Sequence, residues 1–395
     1  MTNIAVLLKV VPDLEGIRYD PERKTLIRQG VNLFLNPFDG RALRVALDLR
    51  RSGDSVTAIS MGPPAAERVL REALDLGADR ALLITDRLLA GSDTLVTART
   101  LIRSIQLAAA ELILCGRNST DSDTGQVGPQ VAGMLGIPFL SSARRIDRMD
   151  GEPNLEVVSD TEAGWARYRC TPPAVVSVDE KIAKIRKPTP EELAAASPRK
   201  VEILTATQLG LDASVLGLAG SPTVVGELVN EEPGRNPQLF IEGTPEERVQ
   251  AAATALGERL SRGPPTPPPA PPLVEPLNDA REVLVHVTDE EGELQAAALP
   301  ILTGVRRLGR GFWPSAIWVG PPPSESALQA IAAAGGRVVR HLGNTPGPML
   351  PRRVAIGITA ALESRPAAAG VAFLATLYGR SVAGQVSARA DLGLV

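Results

Sequence analysis

Between Leu112 and Gly136 the sequence runs LILCGRNSTDSDTGQVGPQVAGMLG. Asn118, Ser119, Thr120, Ser122 and Thr124 set amide and hydroxyl groups close together. Gly116, Gly125 and Gly128 let backbone come close to a ligand. The apolar run Leu112 to Cys115 ahead of this loop reads as a strand. Val127, Val131, Met134 and Leu135 after it have helical spacing. A loop that feeds a helix N-terminus presents unpaired N–H groups and the positive end of the helix dipole, which together attract anions. Such a stretch can cradle a nucleotide pyrophosphate on the backbone amides of Ser119 to Val127. The same residue types also suit an ordinary strand-to-helix loop with Thr124 or Asp123 as helix cap.

The composition narrows the alternatives. The chain has 395 residues, 44% apolar but only 3% aromatic, which suits layered α/β cores and argues against base-stacking nucleic-acid surfaces. A net charge of −3 without a long basic run implies no polyanion partner. Cys115 and Cys170 lack metal-type spacing, His286 and His341 stand alone, and no metal site or catalytic residue is assigned. The N-terminal apolar run Ile4 to Val11 is broken by Lys9 and is too short to span a bilayer, so the expectation is a cytoplasmic protein without membrane insertion.

The elements that must position the loop alternate. Strands are predicted at Ile4 to Val10, Val56 to Met61 and Ala81 to Thr85, with helices at Gly40 to Arg51, Ala65 to Leu76 and from Ser92 or Asp93 to about Ala110. That alternation predicts a parallel sheet covered on both faces, with ligands beyond the strand C-termini. Arg144 to Val178 reads as antiparallel strands extending the sheet, and Lys181 to Lys200 as an exposed loop with a short helix. Thr223 to Leu228 and Glu246 to Leu260 read as an arm and a closing helix.

Residues 263–279 form a proline-rich linker between two domains, 1–262 and 280–395. The second domain repeats the α/β pattern, with strands at Val283 to Thr288, Ala316 to Val319, Val338 to His341 and Val371 to Leu374. Helices are predicted at Leu294 to Leu308, Ser324 to Ala334 and Pro351 to Leu362. Met61-Gly62-Pro63-Pro64 is echoed by Val319-Gly320-Pro321-Pro322. Gly116-Arg117 with Gly125-Gln126-Val127 is echoed by Gly379-Arg380 with Gly384-Gln385-Val386. The expectation is two related doubly wound domains paired about a pseudo-two-fold axis, with the nucleotide site kept in the first and decayed in the second.

Leu8-Lys9-Val10-Val11-Pro12, Asn36-Pro37-Phe38-Asp39, Ser60-Met61-Gly62-Pro63-Pro64, Leu76-Gly77-Ala78-Asp79-Arg80, Cys115 to Gly128 and Gly217 to Thr223 together resemble the β subunit of electron transfer flavoprotein. Residues from about 280 more weakly resemble the N-terminal domain of its α subunit. The resemblance implies an adenine nucleotide α-hydrolase-like fold and a β–α fusion that stops where the α subunit's flavin domain begins. A second FAD would then require that C-terminal domain or a separate flavin-domain chain. By the same resemblance the nucleotide contacts fall on Leu7, Asn36, Pro37, Phe38, Asp39, Met61 and Thr94. They continue through Gly116, Arg117, Asn118, Ser119, Thr120, Asp121, Ser122, Asp123, Thr124, Gly125, Gln126 and Val127.

The ligand in this family is AMP or a bifurcating FAD. Ser122-Asp123-Thr124-Gly125-Gln126-Val127 followed by Gly128-Pro129, and Gly91-Ser92-Asp93-Thr94, resemble the bifurcating or nitrogen-fixation-associated type, which implies FAD with NADH as a donor. Thr94 would then bond the isoalloxazine, Arg117 offset phosphate charge, and Asn36 bond adenine or ribose. Asp121 and Asp123 would brace the loop through its N–H groups. Each of these residues also has a purely structural reading. The chain would be an electron carrier more than a conventional enzyme, serving a dehydrogenase or a quinone oxidoreductase. Pro190 stands where the family's partner-docking Leu is expected, which puts an acyl-CoA dehydrogenase partner in doubt. A scaffold holding structural AMP is the alternative. An ATP-pyrophosphatase-like protein is disfavoured, because Lys9 to Glu15 offers no Gly-rich phosphate motif.

Overall fold

The computed structural model describes residues 2–13, 18–20, 25–27, 32–149, 151, 153–162, 164–196, 198–224, 239–261, 275–289, 291–343, 349–365 and 368–395. After β1 (Asn3–Leu7) come the short strands β2 (Val10–Pro12), β3 (Arg18–Asp20), β4 (Thr25–Ile27) and β5 (Leu33–Leu35). Then α1 (Pro37–Leu49), β6 (Ser55–Met61), α2 (Glu67–Asp75), β7 (Arg80–Ile84), α3 (Thr94–Leu107), β8 (Leu112–Gly116) and α4 (Val127–Leu135) alternate. The predicted first strand stops at Leu7, and the chain turns into the antiparallel pair β2–β5. The predicted helix at Gly40 begins three residues earlier, with Pro37 at its first position, where a missing N–H does no harm.

A nine-stranded sheet has the order β11-β10-β9-β12-β8-β1-β6-β7-β13. Its outer members are β9 (Phe139–Arg148), β10 (Leu155–Thr161), β11 (Gly164–Cys170), β12 (Ala174–Val178) and β13 (Glu202–Leu204). The antiparallel expectation holds for β9–β10–β11, but β12 inserts between β8 and β9 and runs parallel to both. Alternate β1 residues face opposite layers, as a period of two requires. Ile4 and Val6 join a core with Leu43, Leu70 and Leu74 from α1 and α2. Ala5 and Leu7 join a core with Val96, Leu101 and Val131 from α3 and α4.

Beyond the sheet lie α5 (Pro190–Ala196), α6 (Gly217–Gly220) and α7 (Pro245–Ser261). α5 is the short helix expected in the polar 181–200 segment. α7 occupies the predicted span, yet none of its residues is buried, so it closes nothing among the described residues. Residues 263–274 of the proline-rich linker and the end of the predicted arm from residue 225 lie outside the described residues.

The second half contains β14 (Arg281–His286), α8 (Leu299–Arg307), β15 (Phe312–Val319), α9 (Glu325–Ala333), β16 (Val339–Leu342), α10 (Pro351–Glu363), β17 (Gly370–Ala372) and α11 (Leu377–Ala390). Its parallel sheet has the order β16-β15-β14-β17. This winding matches β7-β6-β1-β8: two strands step one way from the first, and the fourth lies on its other side. The Gly-Pro-Pro echo therefore falls after equivalent strands, β6 and β15. The other echo needs a new register. Gly379-Arg380 and Gly384-Gln385 lie inside α11, a helix the sequence reading left out, whereas Gly116-Arg117 closes a strand and Gly125-Gln126 precedes a helix.

Contacts between α4 and α11 give the correct alignment. A Cβ on Gly384 would lie 2.7 Å from Pro129 Cγ, and one on Gly133 would lie 2.9 Å from Ala388 Cβ. The amide of Gln130 reaches Ser387 Oγ at 3.2 Å. Gln130-Val131 thus corresponds to Gln385-Val386, and matched positions touch each other, as a two-fold axis between the helices demands. Among the described residues no helix is long and apolar enough to cross a membrane.

Candidate functional site

In the large sheet the chain moves from β1 to β6 and β7 on one side, then returns to place β8 on the other. The loops after β1 and β8 therefore diverge and open a crevice between them, the usual ligand position in a doubly wound sheet. The predicted loop Gly116 to Thr124 leaves β8 at this point and runs on to Gln126, just before α4.

Asp39, in the first turn of α1, ties the two strand ends together. Its carboxylate accepts from Lys9 N at 2.8 Å and from Gly116 N at 2.9 Å. Burial pushes the Asp39 carboxyl up to about 6, against the pull of hydrogen bonds from Asn36, Lys9 and Gly116. A Cβ on Gly116 would come within 2.5 Å of both Asp39 Oδ1 and Phe38 Cβ, so only glycine fits. Leu7 is buried beneath this junction, and Met61 packs against the same core. Pro37 starts α1 and fixes its direction of entry.

Asn36 is buried and faces the loop. It donates from Nδ2 to the Asn118 carbonyl at 2.9 Å and accepts from Thr120 N at 3.4 Å. Its amide therefore braces the cradle from the start of α1. Arg117 is also otherwise engaged. Its guanidinium pairs with the buried Asp179 at 2.9 Å and lies 5.4 Å from the Phe38 ring centroid, so Arg117 reaches the loop already carrying one counter-charge.

Lys9, absent from the predicted site, adds a second cation, likewise paired with a carboxylate. Its Nζ donates to Asp121 Oδ1 at 2.7 Å, Ser119 Oγ at 3.2 Å and Ser122 Oγ at 3.3 Å. Partial burial tends to raise the Asp121 pKa, but the hydrogen bonds from Lys9 and Ser119 and the Lys9 charge hold it below the usual carboxylate range. Asp123 is held by the Asn118 side-chain amide, and its own N–H donates to Ser119 O at 2.9 Å. The two carboxylates are thus satisfied mainly by side chains, and neither caps α4. The helix cap is Gln126, without a side-chain cap bond, in place of Thr124 or Asp123.

Asp123 at φ 51° and Gly125 at φ 61° turn the loop back toward the helix. Among the described residues the backbone amides of Thr124, Gly125 and Gln126 have no backbone acceptor, and Val127 begins α4. Asn118 Oδ1 is buried without a hydrogen-bond partner. These groups fit the phosphate-bearing ligand that the sequence implied. Thr94 joins them, donating from Oγ1 to Gln126 Oε1 at 2.8 Å. Asp93, one of the two expected caps, accepts from Val96 N at 3.0 Å, and its other oxygen accepts from Thr223 Oγ1 at 2.8 Å. Cys115 is buried, and burial followed by the nearby Asp39 charge raises its thiol pKa, so it packs without ionising.

The equivalent connection in the second half is shorter. Only residues 373–376 separate β17 from α11, whereas residues 117–126 separate β8 from α4. A Cβ on Gly379 would lie 2.0 Å from Leu374 O, so the helix start is filled by backbone.

Residues 24–209 match the electron transfer flavoprotein domain. The electron transfer flavoprotein subunit beta of Thermoanaerobacterium thermosaccharolyticum is 40% identical over 259 residues, covering 65% of this chain and 98% of that protein. The subunit beta of Clostridium acetobutylicum is 39% identical over 231 residues, 58% of this chain and 88% of the relative. Protein FixA of Bradyrhizobium diazoefficiens is 39% identical over 264 residues, 65% of this chain and 91% of the relative. With nearly the full length of these relatives aligned at about 40% identity, the chain belongs to the electron transfer flavoprotein family.

Proposed function

We propose that the chain is an electron-transfer flavoprotein module whose first half binds FAD in the Gly116 to Val127 cradle. The carrying observation is the convergence of unpaired loop amides, the orphaned Asn118 oxygen and the Lys9 ammonium at the switch point. Thr94 supports FAD over AMP. Its bond to Gln126 joins the start of α3 to the loop, so the residue that the resemblance places near a flavin borders the cradle. In this reading Ser119 to Val127 bind the pyrophosphate, Lys9 balances its charge, and Thr94 orients the ring system. When bound, FAD supplies two-electron acceptance from a nicotinamide donor such as NADH and one-electron release to two acceptors.

Residues 280–395 serve as the α-type N-terminal domain in the same reading, supported by the matched winding of the two sheets. A flavin-bearing α-type domain and a dehydrogenase or quinone oxidoreductase are the partners. An absorbance spectrum of the purified protein, followed by acid release and identification of the nucleotide, tests the reading. Flavin bands with released FAD are expected. A colourless protein releasing AMP would leave a scaffold with structural AMP, and release of neither would end the nucleotide assignment.

A further inference from the structure

The nucleotide loop is approached by cations from two sides. Lys9 comes from the end of β1 and is neutralised by Asp121. Arg380 comes from α11 in the second half, and its Nη1 donates to the Asp123 carbonyl at 3.5 Å. Arg380 is exposed and has no carboxylate partner among the described residues. Among the described residues its only side-chain hydrogen bond is therefore long and to a neutral oxygen, whereas a guanidinium prefers a charged, planar acceptor.

The backbone beneath Arg380 is held firmly. Thr376 caps α11 by accepting from Gly379 N at 3.0 Å, and Glu162, in the turn after β10, accepts from Tyr378 N at 3.2 Å. Gly384, one turn further on, sits against Pro129 of α4. The guanidinium is thus delivered to the loop by a fixed helix and can shift from the Asp123 carbonyl by side-chain rotation alone. We propose that Arg380 is an anion-binding residue of the cradle, so that the phosphate site of the first sheet is completed by the second half. This inference rests on the nucleotide reading given above. A phosphate held there would be gripped by Lys9 on one side and Arg380 on the other. Nucleotide binding and docking of α11 on α4 would then reinforce each other.

The test uses the full chain stripped of nucleotide and titrated calorimetrically with AMP and with adenosine, which lacks the phosphate. Arg380→Ala is expected to weaken AMP roughly tenfold while changing adenosine less than about twofold, with Arg380→Lys between Arg380→Ala and the parent. Thermal unfolding should be unchanged, because the side chain is exposed. Equal AMP affinity in parent and Arg380→Ala, or equal loss for AMP and adenosine, would overturn the assignment while leaving the nucleotide reading intact. A parent chain that binds neither compound would overturn both.

Discussion

Asp39 makes a quantitative demand on the pH dependence of stability. Burial raises its carboxyl to about 6 from a reference of 3.8. Between those values the folded chain keeps a proton that the unfolded chain releases. The resulting stability is complete below the unfolded value and is lost as pH rises through the folded one. The shift is worth about 3 kcal/mol in the limit, of which about 2 kcal/mol falls between about pH 4.5 and about pH 7.5. Asp39→Asn abolishes the titration while keeping the shape and one acceptor oxygen. It leaves either Lys9 N or Gly116 N facing an NH2 group, a pH-independent penalty of about 1–3 kcal/mol.

Urea unfolding of parent and variant at both pH values, followed by circular dichroism, yields a double difference in which the other carboxylates cancel. The parent should lose about 2 kcal/mol relative to the variant on going to the higher pH. A double difference of zero, or of opposite sign, would refute the argument. It would show that the two amide hydrogen bonds outweigh burial in setting the proton affinity of Asp39.

Three further outcomes follow from the cradle. Gly116→Ala forces a methyl group to within 2.5 Å of Asp39 Oδ1 and Phe38 Cβ. It should cost about 1–3 kcal/mol, read as a lower urea midpoint, and should release the nucleotide on desalting. Lys9→Gln removes the charge that faces Asp121, and calorimetry should show nucleotide affinity falling roughly tenfold with a weaker dependence on salt. Thr94→Val removes the donor to Gln126, a loss of about 1 kcal/mol seen in thermal unfolding; with flavin bound, the absorbance bands should shift as well.

The alternation of strands and helices was legible because β1, β6, β7 and β8 are short apolar runs separated by turn residues. The cradle loop was legible because hydroxyl, amide and glycine residues crowd between a strand and a helix. Partnerships across long separations were not. Arg117 looks like a free cation until Asp179, 62 positions away, is folded against it. Lys9 looks like an interruption of a strand, and only the end of β1 at Leu7 turns its side chain onto Asp121, 112 positions away. The signal that could have found it was a lone Lys interrupting an apolar run at the first strand, a neighbour of β8.

α11 escaped because Gly379, Ser381, Gly384 and Gln385 read as loop residues. In place they are the small and polar residues that let two helices approach closely. That same property misled the alignment of the two halves. Gly-Gln-Val is a shared phrase, but helix packing, not phrase matching, decides which glutamine corresponds to which.

The placement of α4 has a consequence for the speed and entropy of ligand capture. Residues Gly128 to Gly133 are buried, and the helix is packed between α3 and α11. Its amides should exchange with solvent only when large parts of the molecule open together. The loop at its front is pinned there at one end and clamped at the other by Asp39 and Asn36. Its short span is thus suspended between two of the most slowly exchanging parts of the chain. Little conformational freedom remains to be lost when a ligand arrives, so affinity can come from a few hydrogen bonds without a large folding penalty.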